Sequence, residues 1–71
     1  MVKQISASEL IKIAETQDKE KSYLLDVAKQ MQSGAKIQAR LSDTAKGRAI
    51  KLYTYDRYLY RFICSDIIAI K

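Results

Sequence analysis

The chain has 71 residues, a formal net charge of +5, 48% hydrophobic and 30% charged residues, no proline, no histidine and one cysteine. This composition suits one small folded domain, and at such a length only roughly 60% of the unfolded surface is buried on folding. It excludes imidazole catalysis, most zinc sites and a disulfide within the domain, because each needs histidine or more than one cysteine.

The N-terminal stretch MVKQISASELIK lacks the continuous apolar run of a signal peptide. Ser6-Ala7-Ser8-Glu9 matches a capping box, and Leu10, Ile11, Ile13 and Ala14 follow it, so a short amphipathic helix is expected to about Glu15. The run from Thr16 to Lys21 is wholly polar. It is expected to be a break, with Asp18 capping the next helix; the alternative is one long helix over residues 7–33. A long helix would leave part of its apolar stripe uncovered and would seek a second copy, giving a homodimer. In the second helix Leu24, Val27, Ala28 and Met31 fall at i, i+3, i+4 and i+7, on one face, and Gly34 is placed to end it in a left-handed conformation.

From Ala35 the apolar period becomes two. Ala35, Ile37, Ala39 and Leu41 alternate with Lys36, Gln38 and Arg40, the pattern of a half-buried strand. Ser42 to Gly47 reads as a turn, Arg48 to Tyr55 as a second strand, Tyr58 to Cys64 as a third, and Ile67 to Ile70 as a short fourth after an interruption at Ser65-Asp66. The expected fold is therefore a single α+β domain over residues 1–71. Two N-terminal helices, or one broken helix, occupy residues 6–33 and pack on a three- to four-stranded antiparallel sheet over 35–71. The longest apolar run, Ile67 to Ile70, is too short to span a membrane. No membrane partner is expected, and a cytoplasmic location is the default.

The tyrosines of LYTYDRYLYRF, residues 52–62, are placed by the loop that reverses the chain, read as Asp56-Arg57 or slightly longer. With two or four loop residues, Tyr53 and Tyr55 oppose Tyr60 and Tyr58 on one face, and Arg61 points inward. With three or five, Tyr58, Tyr60 and Phe62 join Ile50 and Leu52 in the core, while Tyr53 and Tyr55 stay outside with Lys51 and Arg61. The second arrangement is preferred because it buries no guanidinium.

Charge is uneven along the chain. Residues 1–34 carry five lysines against five carboxylates, whereas residues 35–71 carry eight lysines and arginines against three aspartates. An excess of this kind points to an anionic partner for the second half. The expected nucleic-acid-binding residues are Lys36, Arg40, Lys51, Arg57 and Arg61 for phosphates, Tyr53 and Tyr55 for stacking on bases, and Lys46 and Arg48 in the loop around Gly47. That loop lacks the spacing of a phosphate-binding P-loop. Exposed rings favour single-stranded nucleic acid or RNA over duplex DNA, whose bases are stacked away. The bland reading is a solvated sheet face whose tyrosines merely fit the pleat.

Little points to catalysis. Cys64, within Phe62-Ile63-Cys64, reads as an inert core thiol, the helical carboxylates read as solubilising charge, and Asp43, Asp56 and Asp66 fall at turns. No enzyme, no cofactor and no metal site is expected. A helix-turn-helix is disfavoured because the helical half is neutral and its second helix holds no arginine. The competing functional class is a protein-binding inhibitor or adaptor, including one encoded by a phage or plasmid, that presents the same basic, aromatic face to an acidic protein.

Overall fold

The computed structural model describes residues 2–70; Met1 and Lys71, the outer limits of the expected domain, lie outside the described residues. In chain order the elements are β1 (Val2–Ile5), α1 (Ala7–Ala14), α2 (Lys21–Gln32), β2 (Ile37–Thr44), β3 (Gly47–Asp56) and β4 (Arg61–Ile70). The four strands form one antiparallel sheet in the order β1-β2-β3-β4. The helices pack on one face of it, the α+β arrangement expected from the sequence.

Helix α1 starts where its capping box requires. The Glu9 amide donates to Ser6 Oγ at 3.2 Å, and the Ser6 amide donates to Glu9 Oε1 at 3.4 Å. The helix ends after one further turn, where the Thr16 hydroxyl and amide both donate to the Ile13 carbonyl. The expected break is thus present, but Asp18 does not cap α2. Its N-cap is Glu20, with helical backbone angles and no side-chain cap bond. Helix α2 closes in a Schellman motif: the Gly34 amide donates to the Met31 carbonyl and the Ala35 amide to the Gln30 carbonyl, with Gly34 at φ +96°.

The break turns the two apolar stripes into one cover. Leu10 and Ala14 from α1 and Leu24, Val27 and Ala28 from α2 are buried against Ile5, Ala39, Ile50, Leu52 and Ile68 of the sheet. Leu10, Leu24 and Ile50 have no exposed surface. Since residues 7–33 are not one helix, the stripe is spent on the chain's own sheet.

Three features of the sheet differ from the expected layout. Strand β1 precedes the helices; Val2 to Ile5 pairs with Ser42 to Ala39. Strand β2 continues to Thr44, so the turn before β3 is only Ala45-Lys46, and Gly47 takes the positive φ of +135°. The segments read as third and fourth strands are one strand, β4, carrying a bulge at Ser65, whose hydroxyl donates to the Leu52 carbonyl at 3.1 Å. Tyr58, Leu59 and Tyr60 lie before that strand, in a four-residue loop from Arg57 to Tyr60.

The loop decides the parity of β4. Asp56 pairs with Arg61 and Tyr55 with Phe62. The preferred expectation of Tyr58, Tyr60 and Phe62 in the core is therefore wrong. Phe62 shares the outer face with Tyr53 and Tyr55, and Tyr58 and Tyr60 are 82% and 83% exposed in the loop. No tyrosine enters the core.

Candidate nucleic-acid interface

Alternation along each strand sorts the side chains into the face under the helices and an open face. Leu52 pairs with Ala39 and Ile50 with Leu41 and Ile68, which marks their parity as the covered one. The other parity places Lys36, Gln38 and Arg40 beside Tyr55, Tyr53 and Lys51, with Phe62, Cys64 and Ile67 opposite those same three residues on β4. Val2 and Gln4 complete this face on β1.

Its charge is of one sign. Glu9, Glu15, Asp18, Glu20 and Asp26 belong to the helices and the connection between them. Asp43, Asp56 and Asp66 sit on covered-face parity, paired with Arg48, Arg61 and Leu52. By parity none of the eight carboxylate residues belongs to the open face, although Asp56 lines a depression at its edge with Lys36 and Tyr55; Lys36, Arg40 and Lys51 lie on the face itself. Asp66 also accepts a hydrogen bond at 3.1 Å from the Tyr23 hydroxyl of α2, on the helix side. Partial burial, then that bond and the nearby charges of Asp66 and Asp26, push the Tyr23 phenol above its ordinary pKa.

The aromatic residues of the open face hold cations. The Arg40 guanidinium lies 4.2 Å from the Tyr53 ring centroid, and the Lys36 ammonium lies 4.9 Å from that of Tyr55. Arg40 also donates to Gln38 Oε1 at 3.1 Å, which fixes its plane. Phe62 meets Tyr55 edge-on, with centroids 5.3 Å apart. Tyr53 and Tyr55 are half-buried beneath these groups, so they position charge instead of presenting bare rings.

The expected loop residues fall at the two ends of the sheet. Lys46, in the β2–β3 turn, shares a shallow depression of about 330 Å³ with Ser42, Arg48 and Lys51, which joins that turn to the open face. Arg48 itself has covered-face parity, opposite Asp43 and Ile70. At the other end, Lys36, Tyr55, Asp56, Arg57, Tyr58 and Ile63 line a depression of about 560 Å³. Arg57 stands 5.7 Å from the Tyr58 ring. Arg61 does not join Lys51, as the preferred parity required. The four-residue loop turns it to the covered-face side, at the rim and exposed, where its charge stays in water.

Sequence reasoning missed Phe62, Cys64 and Ile67 on this face. Cys64 is exposed opposite Tyr53 and is not a core thiol. It also missed the exposure of Tyr58 and Tyr60, for which Asp56 was the available signal: an aspartate that can accept from the two amides after Arg57 starts a loop rather than a strand.

Among the described residues no group of three or more Cys, Asp and Glu side chains is placed to hold a metal ion, and no helix is long and apolar enough to cross a membrane. No protein-family model, curated protein or solved structure matches the chain.

Proposed function

We propose that this protein is a small, non-enzymatic nucleic-acid-binding protein that holds a single strand, RNA or DNA, by its phosphates across the open sheet face. The observation that supports the reading is the segregation of charge: Lys36, Arg40 and Lys51 share the strand parity of the open face, and no carboxylate residue does. Lys46 at one end and Arg57 at the other extend the positive track beyond the strands. Phosphate oxygens carry the complementary charge, and a guanidinium held over Tyr53 has its orientation set before a ligand arrives. A cytoplasmic location accords with this role.

Titration of labelled single-stranded oligonucleotides at 50 and 200 mM salt tests it. Five phosphate contacts on a single strand correspond to a slope of about −3.5 in log K against log salt, a roughly 130-fold loss over that range. Absence of binding at 50 mM salt would refute the reading.

One observation favours a second reading, an inhibitor or adaptor for an acidic protein. Ile67 is 60% exposed on the open face, apolar surface that phosphate binding does not use. A partner protein that bound there would lose affinity on Ile67→Lys and would show a weaker dependence on salt.

A further inference from the structure

The chain places two tyrosines outside its core, at an exposed hairpin tip. Tyr58 and Tyr60 are 82% and 83% exposed at the tip of the β3–β4 hairpin, with Leu59 between them at 55%. Neither is part of the core or packed against it. Tyr60 has φ +54°, the only positive φ at a non-glycine among the described residues, in a region that disfavours a bulky side chain and suits glycine.

The loop is nonetheless built to hold its shape. Asp56 Oδ1 accepts from the Tyr58 amide at 2.8 Å and from the Leu59 amide at 3.3 Å. Arg57 and Arg61 bracket the tip, and the depression lined by Lys36, Tyr55 and Tyr58 joins it to the open face. Asp56 also lines that depression, but its Oδ1 is turned to the Tyr58 and Leu59 amides; rings carried outward on this clamped loop, flanked by cations, fit a ligand that has flat π surfaces as well as negative charge. Backbone strain kept at an exposed aromatic residue points the same way.

We infer that Tyr58 and Tyr60 form the base-stacking site of this protein, taking unpaired bases of the strand whose phosphates lie on the open face. The inference rests on the nucleic-acid reading and deepens it. It divides the labour differently from the sequence expectation: Tyr53 and Tyr55 hold Arg40 and Lys36 for phosphates, and the hairpin tip takes the bases.

The test compares a base-bearing single-stranded oligonucleotide with an abasic sugar–phosphate oligomer of equal length, at fixed low salt. It uses the wild-type chain, a Tyr58→Ala/Tyr60→Ala variant and a Tyr58→Phe/Tyr60→Phe variant, each checked for folding by circular dichroism. Stacking of one base on an aromatic ring makes the wild type prefer the base-bearing strand by at least about fivefold. The alanine variant loses that preference and still binds the abasic oligomer. The phenylalanine variant retains the preference, because stacking uses the π face and not the hydroxyl. Equal binding of the two strands by the wild type, an alanine variant that keeps the preference, or a phenylalanine variant that loses it would overturn the inference while leaving phosphate binding intact. Failure of the wild type to bind either strand would overturn the phosphate reading itself, and the stacking site with it.

Discussion

Arg40 and Tyr53 face each other across β2 and β3, the guanidinium 4.2 Å from the ring centroid. The pair is made by register: Gln38 is the Cα partner of Tyr53, and Arg40, two residues along on the same face, lies diagonal to it. A cation–π contact at a partly exposed site contributes about 0.5–1 kcal/mol. A double-mutant cycle with Arg40→Ala and Tyr53→Ala, read by urea denaturation, is expected to give a coupling of that size. Strictly additive effects would show that the ring does not hold the guanidinium.

The core has little redundancy. Leu24 has no exposed surface and packs where α2 meets the sheet. Leu24→Ala is expected to cost about 2–5 kcal/mol, a large share of the stability of so small a domain. A drop in the urea midpoint measures it, and a loss under about 1 kcal/mol would mean that the helices do not cover the sheet as described.

At the hairpin tip, Asp56→Ala removes the acceptor for the Tyr58 and Leu59 amides and is expected to cost about 1 kcal/mol. Tyr60→Gly works in the opposite direction. It relieves a left-handed residue, and against the added freedom of glycine in the unfolded chain it is expected to be neutral or stabilising by up to about 1 kcal/mol. Thermal melts of the two variants should therefore shift in opposite directions or differ clearly in size. A marked destabilisation by Tyr60→Gly would show that the ring packs somewhere.

Tyr23 couples stability to alkaline pH. Its phenol has a raised pKa in the folded chain, so the folded state binds the proton more tightly than the unfolded state. This contribution is complete below the unfolded pKa and is lost as pH rises through the folded one. Stability of the wild type should fall above about pH 10 more steeply than that of Tyr23→Phe, which lacks the titrating group. At neutral pH the same variant loses one exposed hydrogen bond to Asp66, about 0.5–1 kcal/mol. Parallel pH profiles would remove the linkage.

The helices were legible in the sequence because their signals are local. The Ser6–Glu9 box and Gly34 each act within a few residues of their own position, and both are found as read. Asp18 was misread because a capping residue is defined by where the helix begins, and α2 begins at Lys21, after Glu20, with no side-chain cap bond. Strand β1 escaped notice because Val2 to Ile5 is too short to show a period, and its pairing with β2 joins residues 34 to 40 positions apart in the chain. The parity of β4 turned on the length of one loop, and a single residue more or fewer moves every side chain of the strand to the other face. The basic face survived this error because Lys36, Arg40, Lys51, Tyr53 and Tyr55 all lie before that loop. Arg61, Phe62 and Cys64 follow it, and those assignments failed.

The most direct test of the central claim compares two variants that remove the same charge from opposite sides of the domain. Lys36→Gln, Arg40→Gln and Lys51→Gln together strip the open face, while Lys12→Gln, Lys19→Gln and Lys21→Gln strip the helical side. Single-strand binding measured across a salt series is expected to lose about 2 from the magnitude of its log–log slope in the first variant and to keep a near-wild-type slope in the second. Equal losses in both variants would make binding a matter of net charge alone, and an unchanged slope in the first would contradict the open face as the phosphate site.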